Sequence, residues 1–282
     1  MRFLRMTAPL AALAFMASAS PAGASVPLGH VATIPTGDCA TNFDFAQRSV
    51  AAGNSYTVPA TGTITSWSSS AGVGAGPGAQ FTIKVFRQVA GLTYSVVGHD
   101  GPRPLAGSGV SAFASNIPVK PGDLLGIHTS TIGTNCTGLD TGLSGDTPLF
   151  RGLSDLADGS SGAFTADNDN VRLNVAAELV PTNAFTLGAV QRNKKKGTAT
   201  LAVSVPNPGE LALSGNGVKT ADATAAQAVP TAGEVGLLVR AKGKKKRKLN
   251  ETGKVKLNLQ VTYTPTGGDA SAQSTKLKLK KR

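Results

Sequence analysis

The chain has 282 residues, a formal net charge of +12, and 5% aromatic residues against 34 glycines and 16 prolines. That length suits two domains of ordinary size. No run of about 18 apolar residues offers a membrane span, and no long amphipathic stripe argues for a helical bundle.

Residues 1–24 read as an export signal. Arg2 and Arg5 precede the apolar TAPLAALAFMASAS, and Ala22-Gly23-Ala24 fits small-x-small cleavage before Ser25. The remaining chain is expected to be secreted, extracellular or associated with the cell envelope. The end, KLKLKKR, is not an apolar tail, there is no LPxTG-like sorting motif, and the residues before Cys39 do not form a lipoprotein box. Attachment, if any, is therefore expected to be non-covalent. The two cysteines are Cys39 and Cys136. In an oxidising compartment an even pair favours a disulfide over two unpaired thiols. No basic neighbour marks either as a nucleophile, and no CxxC spacing suits a metal.

Residues 25–182 carry short Val/Thr-rich runs between Gly, Pro, Asn and Asp, the pattern of strands and turns. Strands are expected near 55–60, 62–69, 79–88, 92–99, 111–117, 123–130 and 171–180, a set that suits a jelly-roll-like β-sandwich. A flexible loop is expected at 72–79, and a long polar one at 137–170. Trp67, in TSWSSS, would stack on a sugar if exposed and would pack in the core if not. In ADNDN (166–170), Asp167 and Asp169 with their Asn neighbours offer hard oxygen ligands for Ca²⁺. The same residues also suit an Asx-rich turn before a strand. No other cofactor is suggested.

Charge changes sign near Thr182. Residues 25–182 hold seven basic and eleven acidic residues, a net of −4, whereas residues 183–282 hold nineteen and five, a net of +14. This shift places a domain boundary at 182/183. The second half alternates cleanly. In KVKLNLQVTYTP, residues Val255, Leu257, Leu259, Val261 and Tyr263 share one face, and Lys256, Asn258, Gln260 and Thr262 the other. In STKLKLKK, Leu277 and Leu279 point in while Lys276, Lys278 and Lys280 point out. Seven runs (184–191, 197–205, 209–214, 217–229, 233–241, 254–264 and 271–280) predict an immunoglobulin-like sandwich. The fold class is thus all-β, with two β-sandwich domains.

The segments FTLGAVQRNKKKGTATLAVSVPNPGELALSGNGVK, GEVGLLVRAKGKKKRKL and GKVKLNLQVTYTPTGGDA resemble a Lys-rich C-terminal module of secreted proteins from high-GC Gram-positive bacteria. YTVPATGTITSWSS, FTIKVFR and IPVKPGDLLGI are similar to a domain found in such exported proteins. The resemblance implies location and fold and brings no enzymatic activity with it.

With seven strands alternating in direction, three basic clusters converge on one pole. These are Lys194, Lys195 and Lys196; Lys244, Lys245, Lys246, Arg247 and Lys248 in a charged loop; and Lys280, Lys281 and Arg282. Such a pole attracts polyanions, here an anionic cell-wall polymer, an acidic polysaccharide or an anionic membrane surface. Lysines in turns also serve simply to keep a sandwich soluble and its edges unpaired. Nucleic-acid readout is not expected, because no exposed aromatic stripe accompanies the charge. His30, His99 and His128 are scattered, no GxSxG is present, and no motif ties an acid, a base and a pocket together. A non-enzymatic envelope component is therefore expected. The alternative is a lectin or carbohydrate-active enzyme with its site in the N-terminal loops.

Overall fold

The computed structural model describes residues 23–33, 35, 37–71, 79–107, 109–130, 134–138, 142–152, 155–167, 170–219 and 226–282, with the backbone alone at 37–38 and 134–138. The expected export signal lies outside the described residues up to Pro21-Ala22, as does most of the expected loop at 72–79.

The first half contains β1 (Val26–His30), β2 (Gly37–Cys39), β3 (Phe43–Ser49), β4 (Gly62–Ser70), β5 (Gln80–Ala90), β6 (Thr93–Pro104) and β7 (Val110–Val119). It continues with β8 (Leu124–Thr129), β9 (Thr134–Gly138), β10 (Thr147–Arg151), β11 (Ser161–Ala163), β12 (Thr165–Ala166), β13 (Arg172–Leu173) and β14 (Val175–Pro181). The second half contains β15 (Thr186–Asn193), β16 (Thr198–Val205), β17 (Gly209–Ser214), β18 (Val218–Lys219), β19 (Gln227–Val229), β20 (Gly233–Ala241), α1 (Gly243–Thr252), β21 (Lys254–Pro265) and β22 (Ser271–Lys280). The fold is all-β, of sandwich type, and each sheet draws its strands from one side of Thr182.

In the first half a four-stranded sheet, β1-β14-β4-β7, faces a seven-stranded one, β11-β6-β5-β8-β3-β10-β12. Period-two alternation fills the space between them: Ile64 and Trp67 from β4, Phe81, Ile83 and Val85 from β5, Leu125 and Ile127 from β8, and Val175 and Leu179 from β14. The opposite face of the large sheet is covered too. Phe86, Tyr94, Val96 and Leu149 pack there with Leu156 and Phe164. The expected polar loop at 137–170 is therefore largely structure. Its composition is polar, but β10, β11 and β12 pair into the sheet and a few apolar residues dock the segment over the outer face. Strand β5 is consequently buried on both sides. Strands β1, β2 and β3 lie in a stretch where no strand is expected from sequence.

In the second half, sheets β15-β16-β20-β18 and β19-β17-β21-β22 enclose one core of Leu201, Val203, Leu237, Val239, Leu257, Val261, Tyr263 and Leu279, among others. The run 217–229 crosses between sheets: β18 pairs with β20, and β19 pairs with β17. Labelled A to G, the order reads A-B-E-D against C-F-G, as in constant-type immunoglobulin sandwiches.

Asn207, 1% exposed in the turn between β16 and β17, joins the two halves. Its Oδ1 accepts the Thr61 N–H (2.8 Å), and its Nδ2 donates to the carbonyls of Thr61 (2.9 Å) and Thr182 (3.0 Å). Its own carbonyl accepts the Tyr263 hydroxyl (2.8 Å). No helix among the described residues is long and apolar enough to cross a membrane.

Candidate functional site

The charged loop expected around Lys244–Lys248 is the helix α1. Lys, Arg, Leu and Glu are good helix formers, and Gly253, with φ of +67°, ends the helix in the left-handed conformation. Sequence periodicity could not signal α1, because Leu249 is its one buried residue and no apolar stripe exists. Leu249 fixes the rotation of the helix, and its neighbours are left outside.

Backbone hydrogen bonds gather the three basic clusters around α1. Arg282 donates its N–H to Lys194 O (3.0 Å), and Lys281 donates to Gly253 O (2.8 Å). The Lys281 ammonium also donates to Asn250 Oδ1 (2.8 Å). Gly197 sits where they meet: it has φ of +66°, and a Cβ there would lie 3.1 Å from Leu249 and 3.3 Å from Lys281. The eleven residues expected from sequence thus occupy one end of the sandwich, and all are exposed except the half-buried Lys245.

Among the described residues none of these eleven side chains pairs with a carboxylate; the ion pairs all belong to the first half. Within α1, Lys244 and Lys248 stand four residues apart, a like-charge spacing that destabilises a helix. The first turn is basic and holds no acid, the opposite of what the helix dipole favours. The arrangement is a concentrated positive field; the one acid of α1, Glu251, forms no ion pair with it among the described residues.

The first half contains a second cluster. Lys84 is 1% exposed, and its ammonium contacts Asp44 Oδ1 (2.8 Å), Leu156 O (2.8 Å) and the half-exposed carboxylate of Asp155. Asp44, fully buried, also receives His128 Nδ1 (3.0 Å) and the Leu156 N–H (3.1 Å). Burial alone would raise the Asp44 carboxyl. The hydrogen bonds of His128 and Lys84, the Lys84 charge and the Leu156 N–H outweigh it and hold the group below its ordinary range. Beside this cluster a cleft of about 280 Å³ is lined by Lys84, His99, Asp155, Leu156, Ala157 and Asp158. In it His99 Nδ1 lies 2.7 Å from Asp158 Oδ1. Asp44, His128 and Asp155 present ligand atoms within 4.8 Å of one another. The Lys84 ammonium already bridges the two carboxylates, so the cluster is arranged as an ion-pair network and would repel a metal cation.

Sequence reasoning passed over this cluster, although two signals were present. Lys84 interrupts the apolar run FTIKVF, and Asp44 sits between Phe43 and Phe45. A charge within a strand buried on both faces requires a buried partner. Which partner depends on the pairing of β3, β5 and β8, where Asp44 and Thr82 both face His128.

The other expected site residues fall as follows. Trp67 is 1% exposed; it packs on Phe113 with ring centroids 4.7 Å apart, and its indole N–H donates to Asp100 Oδ2 (2.7 Å). It is a core residue and offers no face to a sugar, a correction that follows from its position on the inner face of β4. Asp167 donates its backbone N–H to Pro148 O (3.0 Å), while Asp169 lies outside the described residues. Asn170 Oδ1 accepts the Gly145 N–H (3.2 Å), which ties this turn to the earlier one at Gly145. Cys39 ends β2 and faces Thr134 of β9; the register then shifts, leaving Cys136 as the extra residue of a bulge on that strand. No described cysteine is a free thiol; the Cys136 side chain lies outside the described residues.

No protein-family model matches the chain. No curated protein matches it either.

Proposed function

We propose that the protein is an exported, non-enzymatic component of a cell envelope, held there by its C-terminal sandwich through contact with anionic polymer. The observation that carries this reading is the gathering of eleven basic side chains at one end of the sandwich with no carboxylate partner among the described residues. A wall polymer, acidic polysaccharide or anionic lipid surface supplies the missing charge, each lysine near such a surface adding about 1 kcal/mol. The signal-like N-terminus and the resemblance to Lys-rich modules of secreted proteins from high-GC Gram-positive bacteria support the location. The first sandwich is then the ligand-facing or structural end. Its two cysteines form a Cys39–Cys136 disulfide, for which the pairing of β2 with β9 is the support.

Isolated cell walls test the reading. Protein beginning at Ser25 sediments with them at low salt and is released near 0.5 M salt, where charges are screened within about 4–5 Å. Substituting Lys244–Lys248 by Ser and Gln weakens retention. Salt-independent retention, or retention unchanged in that variant, overturns the proposal.

One observation favours a second reading. The cleft at Lys84, His99, Asp155 and Asp158 joins charged and apolar lining in the first sandwich, as a small sugar site requires. Glycan binding by the first half, abolished by Asp158→Ala, would favour a lectin.

A further inference from the structure

The basic end extends along the outer face of one sheet, where the register opposes lysine to lysine. Lys254 faces Lys280 and Lys256 faces Lys278 across β21 and β22, and Lys276 follows opposite Asn258. All five lysines are exposed, while Val255, Leu257, Leu277 and Leu279 between them are buried. Alongside, Lys245 and Lys248 of α1 form the other wall of a groove of about 280 Å³ shared with Lys254, Lys256 and Lys278. The stem of Lys245 is seated against Gly217, which has φ of +79°; a Cβ there would lie 2.2 Å from the lysine Cγ.

Edge protection accounts for lysines on β22, an edge strand. It does not account for lysine set opposite lysine: β17 pairs with β21 only over residues 260–265, so Lys254 and Lys256 lie beyond it, but guarding a strand edge there needs a charge on one strand and not an opposed pair. Like charges directly opposite one another destabilise a sheet, and here two such pairs follow in succession without a carboxylate partner. We infer that this groove is a binding track for a linear phosphodiester polymer, a reading that rests on the polyanion contact proposed above and specifies its site and chemistry.

The spacing selects the ligand. Outward positions recur along a strand about every 6.8 Å, twice the rise of about 3.4 Å per residue. A polymer lying along β21 and β22 therefore meets an ammonium pair at that interval, which suits one phosphate per short repeat unit. Acidic polysaccharides with one carboxylate per two sugar rings space their charges more widely. The groove lining contains lysine and no arginine, so recognition is by point charge, without the planar fork that matches carboxylates in pairs. Phe185 and Tyr263 are both buried, so this face has no platform for stacking bases, and a phosphodiester without bases is the better match.

The experiment measures binding of protein starting at Ser25 to poly(glycerol phosphate) and to hyaluronate, which carries one carboxylate per two sugar rings, at similar charge number and across a salt series. The variants are Lys256→Gln/Lys278→Gln and, separately, Lys194→Gln/Lys195→Gln/Lys196→Gln. The inference expects poly(glycerol phosphate) to bind more tightly than hyaluronate. It also expects the first variant to lose roughly tenfold or more of that affinity, with a shallower salt dependence and an unchanged or raised melting temperature, since opposed charges have been removed. If that variant binds like the parent while the Lys194–Lys196 variant does not, the track is overturned and the polyanion contact stands. Equal binding of the two polymers overturns the phosphodiester assignment. If neither polymer binds, both readings fall.

Discussion

Arg282 donates its backbone N–H to the carbonyl oxygen of Lys194, 3.0 Å away. The last residue thereby joins the first turn of its sandwich, and Lys281 joins the end of α1 in the same way. Backbone and charge can be separated here. Ending the chain after Leu279 removes both hydrogen bonds and should cost about 1–3 kcal/mol in a urea titration, at about 1 kcal/mol or somewhat more for each bond lost. Replacing Lys280, Lys281 and Arg282 by Gln keeps the backbone bonds. Stability should then change by less than about 0.5 kcal/mol, while retention on anionic polymer falls. Equal destabilisation by both changes would mean that the side chains, not the backbone, close this end.

Lys84 and Asp44 form the most consequential pair in the first sandwich. Removing the ammonium leaves a buried carboxylate that still faces His128 and the Leu156 N–H but has lost its nearest charge. Lys84→Met is expected to destabilise by about 3–5 kcal/mol, the usual cost of leaving one member of a buried pair alone. Lys84→Met/Asp44→Asn should recover part of that loss, because the remaining group is neutral. Chemical denaturation of the single and double variants measures the coupling; additive losses would show that the two side chains do not depend on one another.

What the sequence made legible follows from where one-face burial operates. In the second sandwich β16, β20 and β21 bury alternate residues, so Val255 to Tyr263 declare their faces directly, and the poles follow from strand direction. In the first, β5 is buried on both sides, alternation loses its meaning, and Lys84 resembles a solvent-facing residue in a one-sided strand. Helix α1 escaped detection for the opposite reason: Leu249 alone docks it, and one apolar residue has no period. Trp67 was ambiguous because burial of a lone aromatic depends on what lies opposite, here Phe113 across β4 and β7. Alternation turns Lys256, Lys278 and Lys280 outward, but their opposition is a property of register, which alternation within a single strand does not contain.

Three carboxylates set the acid limit of the fold. Asp44, Asp100 and Asp146 are all held below the ordinary value of 3.8. In each case burial pushes upward and is outweighed. Asp44 is lowered by His128 and Lys84, Asp100 by Arg103 and the Trp67 indole, and Asp146 by Arg172 with the N–H groups of Ala51 and Leu143. A lowered folded value means that the folded state holds its protons less tightly than the unfolded chain. These groups stabilise fully above the unfolded value, and the contribution is lost as pH falls below 3.8 through each folded value. Stability measured against pH should be level through the neutral range and fall below about pH 4. Asp146→Asn should flatten part of that fall; an unchanged acid profile would remove Asp146 from the account.

Trp67 is the single tryptophan, so intrinsic fluorescence reports on one place. Its ring is 1% exposed and packed on Phe113, so emission should be blue-shifted and weakly quenched by iodide in the native state, and both should change only with global unfolding. Oligosaccharides should leave the spectrum unaltered, since no ligand can reach the ring. Trp67→Phe retains most of the apolar packing but takes the N–H away from Asp100, which keeps Arg103 at 2.7 Å. The expected loss is about 1–3 kcal/mol, combining one charge-assisted hydrogen bond with a small cavity. Adding Asp100→Asn to Trp67→Phe should cost little more if the indole bond is the main contribution of Asp100, and substantially more if the Arg103 pair contributes independently. A sugar-dependent emission shift, or strong iodide quenching in the folded protein, would place the ring at a surface and return Trp67 to the candidate ligand residues.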